Sequence, residues 1–214
     1  MPIKGLFFDL DGLLLDTEKI YFHCWLKAAE ETGYKLDECA ALQLRSCDST
    51  LARKTIGDTL GDSNAYDVIR AKRKEIMNSY IIDHPIELKE GVKQFFDSER
   101  INKYKRFIVT SAIPGNKLDV LEAAGILNKI DRIITTKEVS RGKPYPDIYL
   151  FAAKEACIQT NECLVFEDSP NGVKSAFQAG CQVVMIPDLS EPDEELSKGC
   201  LCVLRGLIDA ISIL

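Results

Sequence analysis

The sequence lacks the features that would assign it to several special classes of protein. Its eight cysteines include no Cys-x-x-Cys pair, and neither of its two histidines is spaced to complete a zinc site. No apolar run approaches the roughly 20 residues of a membrane-spanning helix. No signal-peptide pattern precedes the first predicted strand. These absences predict a cytoplasmic protein with reduced thiols and no membrane partner.

An excess of positive charge is also missing. The formal net charge of -6 would repel a polyanionic backbone, so we expect no nucleic-acid partner. One basic run, at residues 70–74, lies in a predicted helix. It is either a solvated face or, for one of its lysines, a contact with a substrate phosphate. Apolar residues make up 46% of the 214 residues, which suits one globular domain with a smaller insertion, and no obligate protein partner is evident.

Five short apolar runs have the length and composition of buried β-strands. They are separated by stretches with helical periodicity and comprise residues 3–8, 106–110, 132–135, 163–166 and 182–186. Strands that alternate with helices indicate βαβ units, in which helices cover both faces of a parallel sheet. The sequence therefore predicts an α/β fold with a Rossmann-like parallel-sheet core.

The segment 17–85 interrupts this alternation, because it contains no strand-like run and consists of successive helical patterns. We predict a small helical domain over residues 17–85, inserted into a catalytic core formed by residues 1–16 and 86–214. An insertion that leaves the core directly after the first strand would lie over the carboxyl end of the sheet. Ligands bind at that end in open α/β folds.

Two acidic pairs directly follow predicted strands. Asp9 and Asp11 come after the first strand, and Glu167 and Asp168 come after the fourth. Carboxylates at the ends of two different strands are what a hard, oxygen-ligated cation such as magnesium requires. Each pair also has an ordinary interpretation, because the first could be an Asp-Gly turn and the second could cap a helix.

Two other motif assignments fail on spacing. A calcium-binding EF-hand loop counted from Asp9 needs glycine at its sixth position and glutamate at its twelfth, where the chain has Leu14 and Ile20. A phosphate-binding P-loop needs a further glycine five residues before Gly142 and a hydroxyl residue after Lys143. The chain has neither.

Hydroxyl and amine side chains occur at two further loops. Thr110 and Ser111 end a strand and lead into a helix, where hydroxyls and backbone amides can bind an anion. Lys143 lies in a loop stiffened by two prolines. Taken singly, the hydroxyls could cap a helix and the lysine could be an exposed charge. With the acidic pairs at the same edge of the sheet, they match the nucleophile, phosphate donors, cation and metal ligands of a phosphoryl-transfer site.

In this order the motifs resemble the four motifs of the haloacid dehalogenase-like hydrolase superfamily, in the branch that contains β-phosphoglucomutase and sugar-phosphate phosphatases. They stand at residues 7–12 with Asp16, and at 109–111, 142–144 and 166–169. The resemblance covers nearly the whole chain. It implies that residues 17–85 are the family's helical cap, whose opening and closing admits substrate and excludes water.

The resemblance also implies roles for individual residues. Asp9 would attack phosphorus and form an aspartyl phosphate. Asp11 would act as general acid and base. Ser111 and Lys143 would hold the phosphate oxygens, with Thr110 contributing to the same anion site.

A magnesium ion is the cofactor that the resemblance implies. Its ligands would be Asp9, the backbone carbonyl of Asp11 and Asp168, with Glu167 assisting nearby. A second aspartate at position 11 favours phosphate esters as substrates.

Substrate choice would lie largely in the cap. Trp25 and Lys74 stand where sugar-phosphate mutases carry tryptophan and lysine, which implies substrate contacts, whereas Tyr21 and Ser49 replace the mutase histidine and arginine. The sequence therefore predicts a magnesium-dependent phosphatase acting on a small phosphorylated metabolite, a sugar or polyol phosphate. A β-phosphoglucomutase-like isomerase and a non-catalytic phosphate-binding protein are the alternatives.

Overall fold

The computed structural model describes residues 2–112 and 114–214. The strands β1 to β6 comprise Gly5–Phe8, Lys105–Thr110, Arg132–Thr135, Cys163–Glu167, Gln182–Met185 and Cys202–Val203. The helices α1 to α9 comprise Glu18–Glu31, Glu38–Gln43, Ser49–Leu60, Ala65–Asp83, Val92–Asp97, Lys117–Ala123, Asp147–Ala156, Pro170–Ala179 and Glu194–Gly199. None of these helices combines the length and the apolar character needed to cross a membrane.

The six strands form one parallel sheet in the order β3-β2-β1-β4-β5-β6. Phe8, at the end of β1, is in register with Ile108 on β2 and with Phe166 on β4. The segments that follow these central strands therefore leave the sheet at one edge, where the chain order reverses around β1. The predicted α/β fold is confirmed, and the five predicted strands agree with the observed ones within two residues. The two-residue strand β6 was not predicted.

Helices cover both faces of the sheet, so the central strands are buried on both sides. Phe8 packs with Phe95 and Phe96 on one face, and Phe7 packs with Tyr149 on the other. The Phe8 ring also stacks on that of Phe166 with 5.2 Å between ring centres. Each such side chain contributes about 2 to 3 kcal/mol through burial, which holds the strand ends in fixed positions.

The first four helices, α1 to α4, have an apolar core of their own, and we call them the cap helices. Trp25 and Ala28 on α1 pack with Ile56 on α3 and with Ile69 on α4. The chain between α2 and α3 and the loop after β1 connect this group to the edge of the sheet.

The passage from β1 into the cap helices depends on a glycine. Gly12 has a φ of +85°, a conformation that side-chain-bearing residues rarely adopt. A Cβ at this position would also meet the Glu18 side chain at 2.8 Å and would overlap the Asp168 carboxylate. The predicted Asp-Gly turn is therefore present. It leads the chain past the acidic residues at the edge of the sheet and into the cap helices.

Candidate active site

The predicted acidic residues converge at the carboxyl edge of the sheet. The backbone N–H of Asp9 donates to the carbonyl of Phe166 at 3.1 Å, so the strand ladder continues to the first acidic residue. Glu167 is the last residue of β4, and Asp168 follows it. One carboxylate oxygen from each of Asp9, Glu167 and Asp168 lies within 4.8 Å of the others, and all three side chains are buried.

Lys143 lies inside this acidic group. Its Nζ donates to Asp9 Oδ1 at 2.5 Å, to Glu167 Oε1 at 2.5 Å and to the carbonyl of Val109 at 3.1 Å. Burial alone would lower the pKa of Lys143, but Asp9 and Glu167 outweigh burial and raise this pKa above its ordinary value. The side chain is fully buried, so the interpretation of Lys143 as an exposed charge is wrong.

The acidic group carries more negative charge than one lysine balances. Burial raises the pKa of Asp9 to about 7, against the opposing effect of Lys143. Burial also raises the pKa of Asp168 well above its ordinary value. Among the described residues, Asp9 Oδ2 and Asp168 Oδ1 are buried without a hydrogen-bond partner. Two unpartnered carboxylate oxygens on neighbouring aspartates are hard donors of the kind that Mg²⁺ prefers, so the donor set fits a divalent cation.

The interpretation of Glu167 and Asp168 as a helix cap is wrong. Ser169 is the N-cap of α8, and its Oγ accepts a hydrogen bond from the Gly172 N–H at 3.1 Å. The Glu167 carboxylate fills the space that a Cβ at position 172 would need. The Tyr149 hydroxyl donates to Glu167 Oε1 at 2.7 Å. These neighbours therefore hold the Glu167 carboxylate at the acidic edge of the sheet, and Glu167 does not cap α8.

The side chain of Asp11 lies outside the group of three carboxylates. Lys117 Nζ donates to both of its oxygens, at 2.7 Å and 2.6 Å, and the Thr17 hydroxyl donates to Oδ1 at 2.6 Å. Lys117 Nζ also lies 5.3 Å from the centre of the Tyr21 ring. The Asp11 carboxylate is thus held between the core and the cap helices, where it faces the open cavity and not the carboxylate cluster.

Arg45 reaches the acidic edge from the chain between α2 and α3. Its guanidinium donates to the Asp168 carboxylate, to Glu18 Oε2 at 3.2 Å and to the Ser190 hydroxyl at 3.0 Å. Burial raises the pKa of Glu18 to about 8 in spite of this arginine, because Asp11 and Asp9 add to the negative field. A cation supplied by the cap helices therefore occupies one side of Asp168.

Thr110 and Ser111 do not cap α6, because this helix begins at Lys117 and no side chain caps it. Thr110 is buried, and its hydroxyl accepts from the Ala112 N–H at 3.1 Å. The Ser111 hydroxyl donates to the carbonyl of Ser46 at 3.3 Å and lines the cavity. The helix-capping interpretation is thus wrong, and Ser111 remains available at the mouth of the site.

Residues 43–48, which we call the strap, connect the cap helices to the catalytic loops. The Asp48 N–H donates to the Lys143 carbonyl at 2.8 Å, and the Asp48 carboxylate accepts from the Gly142 N–H at 3.1 Å. The Asn171 side chain donates to the Arg45 carbonyl at 2.9 Å. With the bond from Arg45 to Asp168 and the bond from Ser111 to the Ser46 carbonyl, the strap therefore contacts three of the four motif loops.

A cavity of about 1120 Å³ separates the cap helices from the edge of the sheet. Asp9, Asp11 and Ser111 line it on the side of the sheet, and Trp25 and Lys74 line it on the side of the cap helices. Trp25 is only 7% exposed and belongs to the core of the cap helices, whereas Lys74 is exposed. Six of the predicted residues thus line one cavity, although the tryptophan presents little surface to it, whereas Lys143, Glu167 and Asp168 are fully buried beside it.

Sequence reasoning missed Lys117, and it missed the contact of Arg45 with Asp168. A signal existed for Lys117, because a lysine in the first turn of a helix opposes the positive end of the helix dipole and calls for an acidic partner elsewhere. No comparable signal marks Arg45, since its partner Asp168 is 123 positions away in the chain. Glu18, in the first turn of α1, appears as a favourable helix-start residue in the sequence and gives no sign of its contact with Arg45.

A sequence model of the family described as haloacid dehalogenase-like hydrolase matches residues 6–186. This range includes all four motif loops, the strap and the cap helices. The family comparison therefore extends over the elements that form the cavity as well as those that form the sheet.

Similar proteins cover most of the chain. A protein of Drosophila melanogaster described as "Probable pseudouridine-5'-phosphatase" is 33% identical over 211 residues, which are 94% of this chain and 89% of that protein. The fructose-1-phosphate phosphatase YqaB of Escherichia coli is 27% identical over 183 residues, covering 84% and 94% of the two chains. A solved hydrolase structure from Pseudomonas syringae superposes with a TM-score of 0.83 at 25% identity, covering 98% of this chain and 96% of that one.

Proposed function

The chain belongs to the haloacid dehalogenase-like hydrolases, and on this premise we propose that it is a magnesium-dependent phosphatase that transfers a phosphoryl group from a small metabolite to Asp9 and then to water. The observation that carries the proposal is the buried group of Asp9, Glu167 and Asp168 with Lys143 inside it and two carboxylate oxygens unpartnered. We assign residues 17–85 to the cap domain and residues 1–16 and 86–214 to the catalytic core.

In the first half of the reaction, an Asp9 carboxylate oxygen forms a bond to phosphorus while the bond to the ester oxygen breaks. The lysine at 2.5 Å favours the anionic form of Asp9, against the burial that raises the pKa of this carboxyl, and offers positive charge to the equatorial phosphate oxygens. Ser111 donates to one of those oxygens once its hydroxyl turns from the Ser46 carbonyl. Asp9, Asp168 and the Asp11 carbonyl would hold Mg²⁺, which would neutralise charge on the transferring phosphoryl group when bound.

Proton transfer falls to Asp11. It gives a proton to the leaving oxygen in the first half and takes one from the attacking water in the second, so the enzyme returns to its starting state after releasing phosphate. The two bonds from Lys117 hold the Asp11 side chain toward α6. Donation of the proton therefore requires Asp11 to turn away from Lys117 when the substrate enters.

The substrate class follows from the cavity and from the relatives. The cavity has the size of a small-molecule site, and its walls carry hydroxyl, amide and charged groups suited to a polar ligand. The relatives' names describe phosphatases of pseudouridine 5'-phosphate, fructose 1-phosphate and hexitol phosphates. A phosphorylated sugar, sugar derivative or polyol is the class that we assign, with no nucleic-acid or obligate protein partner.

The test is phosphate release from a panel of phosphorylated sugars, polyols and nucleosides, with Asp9→Asn as the blank for contaminating phosphatases. We expect release with Mg²⁺ from at least one compound, none in EDTA, and little recovery with Ca²⁺, which prefers a larger and looser coordination shell. Absence of release above the blank from the whole panel would refute the phosphatase. If glucose 6-phosphate forms from β-glucose 1-phosphate faster than free phosphate is released, the protein is a mutase and the phosphatase proposal is wrong.

A further inference from the structure

Three basic residues of α4 line the cavity opposite the catalytic carboxylates. Arg70, Arg73 and Lys74 are spaced i, i+3 and i+4, so they occupy one face of the helix. In the part of the chain that the structure describes, none of the three forms a salt bridge. Lys72 on the same helix lies away from the cavity and pairs with Glu31 and Glu75 at 3.2 Å each. Unpaired cations thus concentrate on the face of α4 toward the cavity.

Arg73 is the most constrained of the three. Its guanidinium carbon lies 4.6 Å from the centre of the Trp25 ring and 5.1 Å from that of Tyr21. Its Nε is buried without a hydrogen-bond partner among the described residues. Burying a cation without an opposite charge is costly, and two aromatic faces supply only about 1 to 2 kcal/mol each. The arrangement holds the guanidinium in place and leaves its donors for a ligand.

Arg73 lies on the side of the cavity toward which the leaving group of the substrate would extend. Arg73 and Lys117 both contact the Tyr21 ring, and Lys117 holds Asp11. The proposed acid Asp11 must face the ester oxygen that leaves. A leaving group attached to that oxygen therefore extends past Lys117 toward Arg73 and into the cavity.

We propose that Arg73, supported by Arg70 and Lys74, binds a second anionic group on the leaving part of the substrate, a carboxylate or a further phosphate. This inference rests on the proposed phosphatase function and narrows its substrates to phosphorylated sugar acids and bisphosphates. The transferring phosphoryl group already has Lys143 and the metal site at the edge of the sheet. An arginine held by its planar face presents paired N–H donors that match a carboxylate or a phosphate.

The test measures binding without turnover, in the Asp9→Asn background. Glucose 6-phosphate, 6-phosphogluconate and glucose 1,6-bisphosphate are compared by calorimetry with Mg²⁺ present. They share the sugar skeleton and differ in the second charge, so the acid and the bisphosphate arms also tell which anion is preferred. We expect at least one of the two probes that carry a second anionic group to bind about 10-fold or more tightly than glucose 6-phosphate, and Arg73→Gln to remove most of that difference. Lys72→Gln is the matched control and leaves the difference unchanged.

Three outcomes would overturn the inference. One is equal affinity for all three probes in the Asp9→Asn protein. Another is that Arg73→Gln weakens the binding of all three probes equally and that this effect disappears at high salt, which would indicate unspecific attraction of anions. The last is that Arg73→Gln lowers the melting temperature but keeps the preference for a second anionic group, which would make Arg73 a packing residue. Arg73→Lys keeps the positive charge and should retain part of the preference. Phosphate release from monoesters by the protein with Asp9 intact tests the proposed function separately.

Discussion

The two walls of the cavity differ in how their charges are satisfied. On the wall formed by the sheet, Lys143 is bonded to both Asp9 and Glu167, and the group is fully buried. On the wall formed by the cap helices, Arg70 and Arg73 have no ion-pair partner within the described residues. Among the described residues, the sheet wall leaves only two carboxylate oxygens for a cation and otherwise holds its groups with internal partners, whereas the arginines of the cap wall are completed only by a ligand. The difference separates the part of the site that determines the reaction from the part that selects the substrate.

The largest effect should come from removing the nucleophile on the sheet wall. We expect Asp9→Asn to reduce phosphate release by more than about 1,000-fold, because the amide has the same size but cannot form the acyl phosphate. Its folding should be intact, since the substitution removes one of three crowded carboxylates. Steady-state rates together with the circular dichroism melting curve check this. Substantial residual turnover would show that Asp9 is not the nucleophile.

The next largest effect tests the balance of charge on the sheet wall. In Lys143→Met, two buried carboxylates lose their cation, so we expect kcat to fall by about 100- to 1,000-fold and the free energy of unfolding to fall by about 3 kcal/mol. Rates and urea unfolding curves measure the two losses. Lys105→Met is the control, because the one hydrogen-bond partner of the Lys105 amine within residues 2–112 and 114–214 is the Ala156 carbonyl, away from the cavity. A stable Lys143→Met protein would contradict the pairing that the structure shows.

The pH dependence of stability tests the same wall without its metal. The pKa of Asp9 is raised to about 7 and that of Glu18 to about 8. The folded state therefore retains protons that the unfolded state releases above about pH 4. The free energy of unfolding in EDTA should fall as pH rises from about 5 to 8, by roughly 1 kcal/mol per pH unit for each group.

Added Mg²⁺ should counteract this loss, and more at pH 8 than at pH 5, because the metal binds the deprotonated carboxylates. Urea unfolding across this pH range, with and without Mg²⁺, measures both effects. Glu18→Gln should make the slope in EDTA shallower by removing one of the titrating groups. A free energy of unfolding that increases with pH in EDTA would show that these carboxyls are ionised in the folded protein.

The smallest effect concerns the contact between the walls. Asp48 caps α3 and also binds the Gly142 N–H, whereas Asp37 caps α2 and forms no hydrogen bond to a catalytic loop in the part of the chain that the structure describes. Each alanine substitution should cost about 1 kcal/mol of stability through its helix cap. Only Asp48→Ala should also lower kcat/KM, by about 10-fold, because the loop that carries Lys143 loses a fixed point. Equal changes of kcat/KM in the two variants would show that the strap does not position Lys143.

The sheet wall could be predicted from the sequence because its information is local. Asp9 and Glu167 each stand next to a buried apolar strand, and the ends of parallel strands must meet at one edge. The resemblance of the motifs to one family then gave each residue an expected role. The order of the strands therefore already implies most of the arrangement of residues on this wall.

The cap wall could not be predicted in the same way. Arg73 belongs to a basic run that looks like an ordinary solvated helix face, and only the packing of α1 against α4 places it between Trp25 and Tyr21. The expectation of a substrate contact fell on Trp25, whose ring lies mostly within the core of the cap helices. The pairing of Arg45 with Asp168 and that of Lys117 with Asp11 were missed because the two partners are distant in the chain.

The strap has a consequence for the modular exchange of caps among related enzymes. Its bonds to Gly142, Lys143 and Asn171 are made largely by backbone groups of residues 45–48 and by the Asp48 carboxylate. Helices α1, α3 and α4, in contrast, contribute most of the side chains with which the cap helices line the cavity. A chimaera that imports foreign cap helices should therefore retain residues 43–48 of this chain as its splice segment. The graft would then alter recognition while keeping the reaction centre of the recipient.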